Sequence, residues 1–236
     1  MKKIFLIIYL ILFNIGYSQN KSGEVTYKVI FGENMSGNVY KEAARNSADK
    51  LEYSLKFKDS LSLFTQINKI DNDDLAVGLA SAFSGYKNPV YFNKKSGVYK
   101  YHNTNSPIFD NQEYLINYKD TIGWVLTKET KVINNYTCYK ATTLRPSYKL
   151  NETSYFPVTA WYCPKIAFPY GPLDCAGLPG LIFELQYQYG SIVLDKIDFS
   201  KDIDFLQPKK GENITEKDFN KLFNSRMKEA SDTLKN

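Results

Sequence analysis

The residues that could carry chemistry are few in this 236-residue chain, which contains one histidine and three cysteines. A Ser-His-Asp triad or a Cys-His pair needs a histidine as its base, and His102 is the single candidate. It lies at the end of a predicted strand, and nothing in its spacing links it to Cys138 or to a serine. A zinc site needs more ligands than one histidine and three scattered cysteines provide. The sequence therefore predicts no catalytic residue, no metal site and no cofactor.

Acidic residues offer a second type of chemistry, because a pair of carboxylates can hydrolyse a glycosidic bond. Asp174, Glu184 and Asp195 could converge in a folded sheet, although nothing in their spacing singles them out. The run DNDD (71–74) resembles the start of a calcium loop, but Leu75 occupies the next ligand position and the required glycine is missing. An acidic N-terminal helix cap is the favoured interpretation of that run.

The large apolar side chains are candidates for contact with a ligand. Trp124, Trp161 and Tyr162 lie on neighbouring predicted strands, and core packing is the default interpretation for them. A sharper hypothesis places them, together with Leu178 and Phe183, along the inside of a curled sheet that keeps a cavity. On that hypothesis these five residues contact a small apolar or peptide ligand.

The stretch GPLDCAGLPGLI (171–182) places many prolines and glycines directly before an apolar run. Pro179 fixes its φ at about −65° and Gly180 tolerates a positive φ, so the pair fits the centre of a type II turn. Gly177 either adopts a positive φ or lets another segment pack closely. The stretch is predicted to turn the chain and to start a buried strand at Leu181. Its structural residues are Gly171, Pro172, Gly177, Leu178, Pro179, Gly180, Leu181 and Ile182.

The cysteine count allows one disulfide and leaves one thiol over. Cys163 and Cys175 flank a proline-rich segment that is predicted to be a loop. A bridge between them would close a short loop and stabilise the protein by up to about 3 kcal/mol. We favour this pair over the two alternatives that include Cys138.

The N-terminus predicts export from the cell. Lys2 and Lys3 precede an apolar stretch (4–13), and small residues precede a cut before Gln19. Residues 1–18 have this layout of a secretory signal peptide, so the mature protein would lie in the periplasm or be secreted. The leader takes two lysines from a formal net charge of +5, which leaves +3 spread along the chain. That balance disfavours nucleic acid as a partner, and no later segment has the length of a membrane span.

Residues 19–236 are predicted to form a single, mainly β domain. The fold class is a curved antiparallel sheet or partly open barrel with two or three short helices. Strand patterns occupy 23–31 and 113–119, three strands run in series from 122 to 163, and a hairpin crosses Gly190-Ser191. Two further hairpins turn at Asp59-Ser60 and at KKSG (94–97). Helices are predicted within 38–53, at 71–85 and at the C-terminus, about 213–235.

Five features in order resemble the GLPGLI family of exported bacterial proteins. They are Trp124, NYTCYKA (135–141), AWYCP (160–164), GP (171–172) and GLPGLI (177–182). The resemblance implies a periplasmic or secreted protein without an established activity, with an outer-membrane receptor or another envelope protein as its partner. Cys163 and Cys175 depart from the residues usual in the family, and a local disulfide would explain both departures.

These observations favour an exported non-enzymatic protein that serves as a ligand-binding, carrier or accessory module. The alternatives are an envelope hydrolase that uses carboxylates, and a structural docking domain for an outer-membrane partner. A deep apolar cavity beside Trp161 and Leu178 would favour carriage, and two convergent carboxylates in a polar cleft would favour hydrolysis. An exposed apolar patch would favour docking.

Overall fold

The computed structural model describes residues 22–67, 74–86, 88–103, 107–119, 122–149, 152–199, 203–204 and 207–233. The predicted signal peptide (1–18) lies outside these residues. Within them, no helix is both long enough and apolar enough to cross a membrane.

One sheet of twelve strands dominates the described part of the chain. In chain order the strands are β1 (Ser22–Phe31), β2 (Glu52–Lys58), β3 (Leu61–Gln66), β4 (Val90–Asn93), β5 (Val98–Asn103), β6 (Tyr114–Lys119), β7 (Val125–Ile133), β8 (Tyr136–Lys149), β9 (Glu152–Cys163), β10 (Leu181–Tyr187), β11 (Gly190–Asp198) and β12 (Glu212–Thr215). Their order across the sheet is β12-β6-β5-β4-β3-β2-β1-β11-β10-β9-β8-β7.

Almost all neighbouring strands run antiparallel, and tight turns join several of the consecutive pairs. The turn between β7 and β8 consists of Asn134 and Asn135, both with positive φ, which matches the right-handed twist of a hairpin. The last hairpin differs from its prediction, because Tyr187 pairs with Gly190 and the turn falls on residues 188–189. Strand β12 was missed, and it pairs with β6 in parallel.

Three α-helices complete the described fold, α1 (Val39–Asn46), α2 (Leu75–Phe83) and α3 (Glu216–Thr233). Asp74 caps α2, since its side chain accepts hydrogen bonds from the backbone N–H groups of Ala76 and Val77. Thr215 caps α3 and accepts from the N–H of Asp218 at 3.2 Å. The capping interpretation of Asp74 and the C-terminal helix are confirmed.

Among the described residues, buried side chains form three clusters, and the two larger ones lie on opposite faces of β8–β10. The third consists of Phe109, Ile116 and Phe219 and packs α3 against β6. The main core contains Tyr27, Tyr53, Phe57, Phe64 and Phe183, all 0% exposed, and α1 and α2 contribute Ala44 and Ala80 to it. The second core contains Ala141, Val158, Ala160, Tyr162, Cys175, Leu178, Ile182 and Leu185. Successive residues of a strand point to opposite faces, so each of these strands supplies both clusters.

The sheet is strongly curved, and its two end regions approach one another. Strands β6 and β8 are each second from an end of the sheet. Tyr118 of β6 nevertheless donates a hydrogen bond to Asp174, which pairs with Arg145 of β8. The predicted fold class, a curved open sheet with a C-terminal helix, is therefore confirmed.

Candidate functional site

The backbone of the 171–182 segment differs in one respect from the type II turn predicted for it. Gly177 has a positive φ of 87°, whereas Gly180 does not lie in the left-handed region. A Cβ at position 180 would stand 2.2 Å from the carbonyl oxygen of Cys163 and 2.5 Å from its carbonyl carbon. Gly180 is needed for this close approach to the end of β9, so the turn assignment at Pro179 and Gly180 is wrong.

Hydrogen bonds anchor the end of the segment to the loop that precedes it and to β1. The N–H of Leu181 donates to the carbonyl of Ile166 at 2.9 Å, and the N–H of Ile182 donates to that of Tyr170 at 3.0 Å. The hydroxyl of Tyr27, fully buried in the main core, donates to the carbonyl of Ile182 at 2.8 Å. The segment is thus a largely buried structural element that leads into β10.

Leu173 of this segment is held in an unfavourable backbone conformation, which sets the position of the next residue, Asp174. Leu173 has a φ of 57°, which costs an ordinary L-residue about 1–2 kcal/mol. Its side chain packs against both cores. The next residue, Asp174, faces Arg145 on β8 and Tyr118 on β6. Strain of this kind persists only where the surrounding structure enforces it, so the placement of Asp174 is a property of the packed segment.

Asp174, Arg145 and Tyr118 form what we call the seam cluster, which lies where the two ends of the sheet approach. Arg145 donates from Nη2 to Oδ2 of Asp174, and the Tyr118 hydroxyl donates to the same oxygen at 3.2 Å. The arginine and aspartate side chains are 24% and 23% exposed. Sequence reasoning missed the cluster, because its members lie far apart along the chain.

Burial and neighbouring charges keep Tyr118 and Arg145 of the seam cluster, and the nearby Tyr101, in fixed protonation states. Burial raises the pKa of Tyr118, and the nearby charge of Asp174 raises it further. Burial also raises the pKa of Tyr101, with further contributions from Glu216 and Asp174. Burial alone would lower the pKa of Arg145, but Asp174 reverses that direction and raises it. Both tyrosines therefore remain hydroxyl donors and Arg145 a cation, which suits cross-linking of the sheet rather than proton transfer.

The five predicted ligand residues divide between the two cores. Trp124, Tyr162 and Leu178 lie in or against the second core, where the indole N–H of Trp124 donates to the carbonyl of Ala176 at 2.9 Å. Trp161 and Phe183 lie in or against the main core on the opposite face. A ligand on one face would therefore contact only one group, and Leu178 and Phe183 are buried.

The three acidic residues considered for hydrolysis do not meet. Asp174 pairs with Arg145, Glu184 pairs with Lys131, and Asp195 pairs with Lys28. Each carboxylate thus has its own cation on a different part of the sheet. Lys131 also lies over the ring of Trp161, with Nζ 4.5 Å from the ring centroid. This arrangement gives no support to carboxylate chemistry by these residues.

His102 and the cysteines show no arrangement typical of nucleophilic catalysis. The Nε2 atom of His102 lies 3.4 Å from Oε2 of Glu113, without the geometry of a hydrogen bond. No group of three metal-ligating side chains occurs within the described ranges. The predicted Cys163–Cys175 disulfide is absent from the structure. Cys163 faces the main core and Cys175 the second core, so the sheet separates their side chains.

An exposed apolar surface lies on the three strands at one end of the sheet, and we call it the β7–β9 surface. It consists of Val125, Leu144, Tyr155 and Pro157, of which the first three are 63%, 65% and 65% exposed. Leu144 is directly opposite Pro157, and both point to the same face. A shallow groove of about 540 Å³ runs between them, lined by Gly123, Val125, Thr142, Thr143, Leu144 and Pro157. Sequence reasoning missed this surface because alternation predicted that one face of each strand would be buried.

Comparison with known proteins gives a partial family match and a fold. The family model described as "Protein of unknown function (Porph_ging)" matches residues 147–184. No curated protein matches the chain. Two solved structures of PNGF-II are similar in fold. The one in space group P21 is 12% identical with a TM-score of 0.52, and covers 86% of this chain and 33% of its own. The one in space group C2 is 13% identical with a TM-score of 0.54, and covers 86% and 32%. This chain therefore spans about a third of PNGF-II, and most of it has a fold similar to part of that larger chain.

Proposed function

We propose that this protein is an exported accessory module of the GLPGLI family that binds another envelope protein through the β7–β9 surface and catalyses no reaction. The observation that supports this proposal is the exposure of Val125, Leu144 and Tyr155 on one face of the sheet, where the first two line the groove. Contiguous exposed apolar area is typical of interaction sites. The 171–182 segment, by contrast, is largely buried, so the docking surface lies beside the family motif and not on it.

The contact segment of the partner is an extended apolar strand. Within the described residues β7 is an outer strand of the sheet, hydrogen-bonded to β8 along one side. An uncovered edge presents backbone donors and acceptors that an added strand can pair with. Leu126 and Val132 on β7 are 55% and 71% exposed, which provides apolar side-chain contacts beside that edge. An outer-membrane receptor or another envelope protein would supply the strand.

Two further observations agree with an accessory role. The leader-like sequence at 1–18 would deliver the protein to the envelope, where such partners reside. The fold also resembles about a third of PNGF-II, a chain in which a unit of this kind is joined to additional residues. Carriage of a ligand in a deep cavity receives less support, since Leu178 and Phe183 are packed in the cores.

A site-specific photo-cross-linker tests the proposal in the host bacterium. The cross-linking residue would replace Leu144 or Tyr155 in two variants and Val39 in a control. Val39 is 71% exposed on α1, so it matches the test positions in exposure but lies on another element. We expect one discrete product with the same envelope protein from positions 144 and 155, and none from position 39.

A second substitution separates specific docking from general stickiness. Val125→Lys should abolish the product formed at position 144, because a lysine at the groove opposes an apolar strand. Val39→Lys should leave the product unchanged. Products of equal yield from all three cross-linking positions would contradict the proposal. A product of twice the protein's own mass would show self-association, and would overturn the assignment of an envelope partner.

A further inference from the structure

Two of the three cysteines are cross-strand neighbours, a relation that the sequence did not suggest. In the antiparallel pairing of β8 with β9, Tyr139 is opposite Tyr162 and Lys140 is opposite Trp161. The same register, one step further, places Cys138 opposite Cys163. Directly opposed residues of antiparallel strands have Cα atoms about 4.5–5.5 Å apart, and a disulfide accepts about 4.4–6.8 Å. Both side chains face the main core and are 0% exposed.

The two thiols are also close in space, because Cys163 is among the groups that raise the pKa of Cys138. The Cys138 thiol itself donates to the carbonyl of Tyr136 at 3.7 Å. Cys175 is excluded from this pair, because it lies in the second core across the sheet. Contact, shared face and strand register therefore agree on the same two residues.

We propose that Cys138 and Cys163 form a disulfide in the exported protein and tie β8 to β9, while Cys175 remains a thiol. Neither the docking surface nor any partner is needed for this bond. It requires only that the chain meets a thiol oxidant, such as a protein disulfide or oxidised glutathione, in an oxidising compartment.

The chemistry is ordinary thiol–disulfide exchange. A thiolate of one cysteine attacks the oxidant's disulfide, forms a mixed disulfide and releases one reduced thiol of the oxidant. The second cysteine, as thiolate, then attacks the mixed disulfide and releases the other thiol. The two protein thiols lose two electrons and two protons in total, and the oxidant's disulfide is reduced to two thiols.

Burial makes the folded protein a poor substrate for this oxidation. Burial, with a smaller contribution from the neighbouring Cys163, raises the pKa of the Cys138 thiol to about 12. Little of it is thiolate at neutral pH, and neither sulfur is accessible to an oxidant. We expect the bond to form while the strands are still assembling. Reduced, folded protein should therefore oxidise at least about 100-fold more slowly than protein refolding in the same oxidised glutathione.

Peptide mapping of the full chain tests the pairing directly. The chain would be exported into a bacterial periplasm, denatured without reductant, alkylated and digested with trypsin. Cleavage after lysine separates the three cysteines into peptides 132–140, 150–165 and 166–196. We expect peptides 132–140 and 150–165 to be joined, and peptide 166–196 to be alkylated. Alkylation of all three cysteines, or a bond that includes Cys175, would overturn the proposal.

Thermal unfolding with and without reductant provides an independent readout. A bond closing the loop from 138 to 163 should raise the Tm by about 10 °C, and a reductant that acts on unfolded chains should remove this gain. Cys175→Ser should retain the difference, and Cys138→Ser should lack it. If Cys138→Ser does not fold, the mapping of the wild-type chain decides alone. A reductant-dependent Tm difference that persists in Cys138→Ser would contradict the assignment.

Discussion

Replacing Gly180 with alanine should destabilise this protein more than the same substitution at glycines that have open space around them, such as Gly78 and Gly177. The added Cβ would lie 2.2 Å from the carbonyl oxygen of Cys163 and 2.8 Å from the nitrogen of Pro164, where ordinary contacts are 3.4–4 Å. Both obstacles are backbone atoms, so no side-chain rotation can relieve the contact. The start of β10 must move away from the end of β9 by roughly 1 Å.

The size of the effect follows from what this displacement disturbs. Overpacking of a well-packed site costs about 1–3 kcal/mol. Two hydrogen bonds at the same point, from Leu181 to Ile166 and from Ile182 to Tyr170, contribute about 0.5–1.5 kcal/mol each. We expect the free energy of unfolding to fall by about 4 kcal/mol, and the Tm to fall by roughly 10 °C.

Urea unfolding monitored by tryptophan fluorescence measures this loss, with two glycines as controls. Gly78 lies inside α2 with nothing within 4 Å of an added Cβ, so Gly78→Ala should stabilise by roughly 0.5–1 kcal/mol. Gly177 also has open space but a positive φ, so Gly177→Ala should cost about 1–2 kcal/mol. A loss below about 1 kcal/mol for Gly180→Ala would refute the close-contact explanation.

Three further comparisons test other parts of the molecule. Trp124→Phe removes an indole hydrogen bond, whereas the buried indole N–H of Trp161 has no acceptor to lose. The free energy of unfolding should therefore fall by about 1 kcal/mol more in Trp124→Phe than in Trp161→Phe, and equal losses in urea unfolding would contradict this. Arg145→Leu should lower the free energy of unfolding by about 2 kcal/mol, less than for a fully buried pair because its side chain is partly exposed, and an unchanged Tm would contradict this. A hydrogen bond from Lys50 lowers the pKa of Asp74 in the folded protein. The Asp74 carboxylate therefore stabilises the fold fully above its unfolded pKa of about 3.9, and this stabilisation is lost as the pH falls through the lower pKa of the folded state. The stability difference between wild type and Asp74→Asn, which keeps an N-cap, should therefore disappear in acid, and a difference constant down to about pH 2 would show another cause.

Local sequence patterns predicted most of the strands, because residue alternation and turn residues are features of a few consecutive positions in the chain. Alternation predicted β1 over 23–31, and the twin asparagines predicted the β7–β8 turn. Strand β12 was not predictable in this way, since its four residues show no alternation and their partner β6 lies about a hundred positions earlier. A parallel pairing at such separation depends on the curvature of the whole sheet.

The candidate sites were less predictable for the same reason. Trp161 and Tyr162 are adjacent in sequence but face different cores. Their proximity along the chain therefore does not place them in a common ligand site. Cys163 is similarly nearer in sequence to Cys175 than to Cys138, yet strand register brings it to Cys138. Which cysteine lies near Cys163 depends on the face of the sheet that each side chain occupies. The loop sequence between 163 and 175 does not determine that face.

The seam cluster explains why the β7–β9 surface can be both apolar and exposed. The long β8–β9 hairpin places Phe156 and Val158 against the second core, and Arg145 holds the same face to Asp174. One face of the hairpin is therefore committed to the body of the protein, which leaves Leu144 and its neighbours on the other face. Asp174 reaches Arg145 because the strained Leu173 and the buried turn fix its position. The 171–182 segment thus acts on the surface indirectly, because its rigid backbone sets which face of the hairpin is turned outward.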